Sequence, residues 1–228
     1  MYRSLIDKLR KNTFLEKEEY KLLIENRDKC RDYLLENARQ VRDSVYLRKV
    51  FIRGLIEISN YCKNDCLYCG IRRSNGNASR YRFYEDDILS CVRRGYPLGF
   101  RTFVLQGGED AYYTDEVLCR IISAIKNDFP DCAVTLSLGE RSYESYKALK
   151  AAGADRYLLR HETANKAHYC KLHPPQMSFD NRIQCLRNLK ALGYQTGAGF
   201  MVGTPYQTTD DLAAEFSFLK ELRPEMVA

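Results

Sequence analysis

The chain has 228 residues, 45% hydrophobic and 29% charged, so it can bury a core of its own and is neither disordered nor collagen-like. Its net charge of +6 comes from 36 Lys and Arg interleaved with 30 Asp and Glu; this excludes a nucleic-acid stripe and favours anionic small ligands or an acidic protein partner. No apolar run is long enough to span a membrane, and the charged start Met1-Tyr2-Arg3-Ser4-Leu5-Ile6-Asp7-Lys8 is no signal peptide, so the nine cysteines read as cytoplasmic thiols or metal ligands.

Residues 1–48 read as a helical extension. Leu22, Leu23, Cys30, Leu34 and Leu35 recur near the helical period, and Thr13-Phe14-Leu15-Glu16 has capping-box spacing. From residue 49 onward strand-like and helix-like segments alternate. Strands are predicted at 51–58, 102–106, 132–138, 156–160, 195–202 and 225–228, and helices at 84–95, 114–128, 141–152, 178–192 and 208–222. Gly153 and Gly193 close helices ahead of strands, and Thr208-Thr209-Asp210-Asp211 opens one. This alternation predicts an α/β fold, a parallel sheet with right-handed crossovers of the TIM-type barrel kind. Six such strands fall two short of a closed eight-stranded barrel, so the domain at 49–228 is expected to be a barrel truncated before its last strands.

The first predicted strand runs out in Ser59-Asn60, and the loop after it reads Tyr61-Cys62-Lys63-Asn64-Asp65-Cys66-Leu67-Tyr68-Cys69-Gly70. A C-x3-C-x2-C triplet arises by chance in only about one such chain in a hundred. Structural zinc would want a fourth protein ligand, and no Cys or His stands close by in the sequence. Three thiolates on a four-iron cluster leave one iron open to chelate a ligand. Cys30, Cys91, Cys119, Cys132, Cys170 and Cys185 are scattered, most of them in helical or strand patterns where a free thiol packs as a small hydrophobe.

Two more patterns follow strand ends. Gln106-Gly107-Gly108-Glu109 provides glycines where backbone must approach a ligand closely. Arg160 and Glu162 stand at and just past the end of strand 156–160, where barrel residues point into the cavity, and would offer one cation and one anion to a zwitterionic amino acid. His161, His168 and His173 do not repeat a ligand spacing and read as satisfied rim histidines, His161 alone having a possible place in the cavity.

The cysteine loop, with aromatic Tyr68 before its last Cys, resembles the hallmark loop of the radical S-adenosylmethionine superfamily. That resemblance implies a [4Fe–4S] cluster on Cys62, Cys66 and Cys69, with S-adenosylmethionine on the open iron. It also implies that the Tyr68 main chain meets adenine and that Gly107, Gly108 and Glu109 bind the methionine amino group.

Within the superfamily, most of residues 50–228 resembles the HydE family of [FeFe]-hydrogenase maturases. The segments that carry this are Ile71-Arg72-Arg73-Ser74-Asn75, Arg80-Tyr81-Arg82, Thr135-Leu136-Ser137-Leu138-Gly139-Glu140, Arg160-His161-Glu162-Thr163-Ala164-Asn165 and Gly197-Ala198-Gly199-Phe200-Met201-Val202-Gly203. The resemblance implies cofactor contacts from Arg160, Glu162, Arg182 and Met201, and substrate contacts from Thr135 and Ser137. It further implies a small sulfur-containing, iron-bearing substrate, an electron donor such as ferredoxin or flavodoxin, and other hydrogenase maturases as partners. Tyr206 stands where the family usually has Gly, so the 203–208 loop is expected to turn differently. Methylornithine synthase and biotin synthase share the triad and barrel, and a non-catalytic Fe–S or zinc protein is a third reading.

Overall fold

Apolar side chains at every second position of a strand bury one face, and helices returning over that face cover it. The computed structural model describes all 228 residues and realises this pattern. In chain order come α1 (Tyr2–Asn12), α2 (Lys17–Glu25), α3 (Arg27–Tyr46), β1 (Gly54–Ser59), α4 (Glu85–Gly95), β2 (Thr102–Gly107), α5 (Asp115–Asp128), β3 (Ala133–Ser137) and α6 (Tyr143–Ala151). Then follow β4 (Arg156–Leu158), α7 (Lys166–Leu172), α8 (Phe179–Ala191), β5 (Gln195–Ala198), α9 (Thr209–Leu222) and β6 (Met226–Val227). None of these helices is long and apolar enough to cross a membrane.

All six strands pair in parallel and in chain order, with β1 and β6 at the edges, a TIM-barrel-like α/β arrangement. The sheet belongs to a unit made of Ile52–Glu162, Tyr169–Gly199 and Pro224–Ala228. On its helix-covered face Ile56, Ile58, Phe103, Leu105, Val134, Leu136 and Tyr157 are buried together with Ile88 and Val92 of α4, Ile121 and Ile125 of α5, and Leu186 and Leu189 of α8. Each such aliphatic side chain stabilises the fold by about 1.5–3 kcal/mol. On the alternate positions of the same strands, Glu57, Ser59, Gln106, Thr135 and Ser137 outnumber the apolar Leu55 and Val104 and make the opposite face largely polar.

A second unit gathers Met1–Phe51, Thr163–His168 and Phe200–Arg223. Its core joins Ile6, Leu15, Tyr20, Leu23 and Cys30 to Ala213 of α9, and Tyr20 stacks on Phe216 at 4.7 Å. In this unit Glu215, fully buried, receives Ala164 N on both carboxylate oxygens at 2.8 and 2.9 Å, and Asp211 receives Asn165 Nδ2 at 2.6 Å.

Several local expectations are corrected. Thr13 does not begin a helix; it closes α1 in the left-handed conformation (φ 62°), and the capping box belongs to Glu16, whose N–H donates to Glu19 Oε2 at 2.9 Å. The first strand starts at Gly54 rather than at 51, leaving Phe51 and Ile52 exposed, and the fifth ends at Ala198 rather than at 202. α7 was not anticipated. At seven residues it is too short to show periodicity, and it is started by Asn165, whose side chain accepts from Ala167 N at 2.9 Å. Tyr206, in the glycine-like place, takes a left-handed φ of 66°.

Candidate active site

The three cysteines follow the C-terminal end of β1 and are free and half-buried. Their loop is held from several sides. Gly108, just past β2, packs so closely that a Cβ there would fall 2.2 Å from Tyr61 O and 2.7 Å from Cys62 Cβ, which is why this position must be glycine. Gly108 N donates to Ser59 O at 3.1 Å, and Lys63 N donates to Glu109 O at 3.0 Å. The Arg80 guanidinium donates to the carbonyls of Ile71 at 2.8 Å, Arg72 at 2.7 Å and Asn75 at 3.2 Å, as well as to Asn60 O, and so ties the far side of the loop.

Cys66 lies within electrostatic reach of both Cys62 and Cys69. Burial pushes Cys66 up to about 11; Cys62 and Cys69 add to that, while Tyr68 and Arg182 oppose it. A metal centre would displace the proton, as thiolate ligation requires.

Tyr68 is half-buried between Cys66 and Cys69, and its hydroxyl lies 2.9 Å from His173 Nε2. His173 Nδ1 faces the carbonyl of Tyr169 at 2.9 Å, so Nδ1 carries the proton and Nε2 accepts from the phenol. Burial pushes His173 down to about 4, so the ring is neutral at pH 7. The rim placement expected for the histidines is corrected: all three are buried, His161 completely. His161 Nδ1 accepts from Gly199 N at 3.4 Å, and His168 is bonded to Thr163 Oγ1 and Pro205 O; neither lines the cavity described next.

That cavity, of about 510 Å³, opens at the C-terminal ends of the strands. Ser59, Gln106, Gly107 and Ser137 contribute from β1 to β3, Cys69 from the cysteine loop, and Arg160, Glu162 and Arg182 from the far side. Glu162 is 6% exposed and sits at a left-handed φ of 68°, its N–H donating to Gly199 O at 3.0 Å. A non-glycine residue held there stores backbone strain, a recurrent feature of functional sites. Burial raises the Glu162 carboxyl, opposed by Arg160, Arg182, His161 and Tyr68. Arg160 Nε lies 3.4 Å from Glu162 Oε1, while Glu162 Oε2 is buried without a hydrogen-bonding partner. Arg182, from α8, is almost fully buried and paired to Glu140 at 2.7 Å. Thr135 stands two residues below Ser137 on the same strand face, and its hydroxyl is likewise buried without a partner.

Two residues singled out from the sequence lie elsewhere. The Glu109 carboxylate pairs with Lys63 at 3.0 Å and accepts from Glu140 N at 3.0 Å, folded over Gly139. Met201 falls in the helical unit, its carbonyl accepting from Gln207 Nε2 at 2.7 Å. Sequence reasoning gave no separate role to Asp110, which follows Glu109. Asp110 accepts from Ser59 Oγ at 2.7 Å and from Arg82 Nε and Nη2 at 2.7 and 2.8 Å, locking the end of β1 to the Gly-Gly-Glu turn. No local sequence signal marks this bidentate Arg82 fork, because its partners are distant in the chain.

The donor set fits an iron–sulfur cluster carrying an amino-acid ligand: three thiols on one loop, and at the same cavity a buried carboxylate, Glu162, whose Oε2 has no hydrogen-bonding partner.

The family model for the Radical SAM superfamily matches residues 56–219. Over 225 residues the chain is 46% identical to the [FeFe] hydrogenase maturase subunit HydE of Thermotoga maritima, covering 99% of this chain and 64% of that protein. It is 28% identical over 195 residues to the 3-methylornithine synthase of Methanosarcina acetivorans, covering 83% and 54%. The crystal structure of methylornithine synthase (PylB) superposes with a TM-score of 0.88 at 26% identity, covering 98% of this chain and 66% of that one. The chain thus spans between about half and two thirds of the length of these relatives.

Proposed function

Because this chain belongs to the radical S-adenosylmethionine superfamily, we propose that it is a maturase of the HydE kind, acting in assembly of the di-iron centre of [FeFe]-hydrogenase. The observation that carries the chemistry is the cysteine triad beside a cavity into which Glu162 brings a buried, unsatisfied carboxylate oxygen. Cys62, Cys66 and Cys69 would ligate three irons of a [4Fe–4S] cluster, leaving the fourth for S-adenosylmethionine. Such a cluster, held by these three cysteines, would supply one-electron reduction of a bound sulfonium.

The chain's own residues do the rest. Glu162 Oε2 accepts from the methionine ammonium, and Arg160 and Arg182 offset the carboxylate charge. Gly107 and Gly108 let the main chain approach that amino acid, Glu109 holds the turn they form, and the Tyr68 main chain meets adenine. Ser137, with Thr135 beneath it, presents hydroxyls to the substrate, a small sulfur-containing and iron-bearing molecule. The cavity walls exclude water from the reacting atoms. Residues 1–48 serve as a helical extension and 49–228 as the catalytic domain. A ferredoxin or flavodoxin supplies the electron, other hydrogenase maturases are the partners, and the protein works in the cytoplasm.

The specific role is supported by 46% identity to HydE against 28% to 3-methylornithine synthase. The superposition on methylornithine synthase keeps that activity as the second reading. The test is complementation of a host lacking only its own HydE with the complete gene. Wild type and Cys119→Ala should restore hydrogenase activity and Cys66→Ala should not. Failure of well-expressed, cluster-loaded wild type would move the reading to methylornithine synthase.

A further inference from the structure

The Cys66–Cys69 turn meets one short segment at successive points. Leu67 N donates to Leu172 O at 3.0 Å, and Tyr68 OH donates to His173 Nε2 at 2.9 Å. Cys66 Sγ lies 3.5 Å from Met177 Sδ. The run from Leu172 to Met177, at and just beyond the end of α7, therefore lies alongside the turn that carries two of the three thiols.

The central contact has a fixed polarity and a rigid support. A carbonyl oxygen only accepts, so the His173 proton sits on Nδ1, facing Tyr169 O, and the Nε2 lone pair is left for the phenol. The imidazole stacks on Tyr169 with ring centres 3.7 Å apart and planes 14° from parallel, and meets Tyr68 edge-on at 5.3 Å. Its backbone N–H donates to Tyr169 O at 3.1 Å, and the residue is 4% exposed. Held at ring, backbone and Nδ1, His173 is the fixed partner and Tyr68 the one that is placed.

We propose that His173 is a positioning residue for the cluster-bearing loop: through the Tyr68 hydroxyl it fixes the Cys66–Cys69 turn, and with it the two thiols and the intervening main chain. The inference rests on the reading of the triad as a cluster site. A histidine that merely filled space would serve as well without its acceptor nitrogen; a positioning histidine would not.

The experiment uses the anaerobically reconstituted protein, with iron content measured first, and follows cluster loss to EDTA without oxygen alongside the electron paramagnetic resonance spectrum of the reduced cluster. His173→Phe keeps a ring but removes the acceptor, His173→Gln retains an acceptor near the Nε2 position, and Tyr68→Phe removes the donor. His173→Phe and Tyr68→Phe should each speed cluster loss by about 3- to 10-fold, the range for one lost hydrogen bond, and broaden the spectrum. The double variant should lose its cluster no faster than either single one, and His173→Gln should return to within about twofold of wild type. Wild-type rates in folded Tyr68→Phe, additive losses in the double variant, or no recovery in His173→Gln would each overturn the proposal. Tyr68→Phe leaves His173 in place, so a wild-type rate in it overturns the proposal even if His173→Phe does not fold, and recovery in His173→Gln separates the histidine from the hydroxyl's other neighbours, Cys66 and Glu162. Wild type that takes up no iron overturns the cluster reading itself.

Discussion

At the scale of single residues, the site depends on charges placed where water cannot screen them. Glu162 combines a left-handed backbone, burial and an oxygen without a partner, and Arg182 is buried beside the cavity. If both grip the cofactor through charge-assisted contacts, Glu162→Gln and Arg182→Ala should each weaken S-adenosylmethionine binding by about 1.5–3 kcal/mol in an equilibrium titration. Superimposable titration curves would refute that assignment. Asp110 makes a structural prediction. Burial pushes its carboxyl up, but Arg82, Ser59 and the Tyr112 N–H outweigh this and hold it below its ordinary 3.8. The folded state therefore favours the ionised form, so this stabilisation is present above the ordinary value and is lost as pH falls through the lower folded one. Asp110→Asn should cost about 1.5–3 kcal/mol at pH 7 in urea unfolding, and its stability should fall less steeply than that of wild type in acid. Glu162 was legible because it follows the strand predicted at 156–160, although β4 itself ends at Leu158. Asp110 was not, since its partners Ser59 and Arg82 lie 51 and 28 residues away and only folding assembles them.

At the scale of elements, the decisive fit is the turn after β2 against the cysteine loop. A methyl group at Gly108 has no room beside Tyr61 O and Cys62 Cβ, whereas one at Gly70 would meet nothing within 4 Å. Gly108→Ala should therefore push the turn away, lower the iron retained after reconstitution and destabilise the protein by about 1–3 kcal/mol. Gly70→Ala should retain iron as wild type does, and equal iron in both variants would contradict the account. Helix limits were legible where capping chemistry is local. Ser178 and Thr208 cap α8 and α9, and Gly153 and Gly193 end helices at φ 112° and 73°. α7 was missed because a seven-residue helix leaves too short a pattern, and with it went the segment that buries His173 against Tyr68.

At the scale of the whole molecule, the alternation of β and α segments was enough to give a parallel sheet in chain order, because right-handed crossovers leave few other arrangements. The composition of the helical unit was not readable. Periodicity shows that α2 and α9 each have an apolar face, but not that Tyr20 stacks on Phe216, 196 residues later. The cavity was legible only as strand ends; its lining also draws on α8, through Arg182, which no local pattern marks as inward-facing. The central claim, a three-thiolate cluster with one iron open to S-adenosylmethionine, is tested most directly by reconstituting the protein anaerobically, reducing it and titrating it with S-adenosylmethionine under electron paramagnetic resonance. The account predicts about four irons in the cluster, a signal that shifts as S-adenosylmethionine is added, and loss of both when Cys62, Cys66 and Cys69 are replaced together by Ala. Iron content unchanged in that triple variant, or a spectrum indifferent to S-adenosylmethionine, would contradict it.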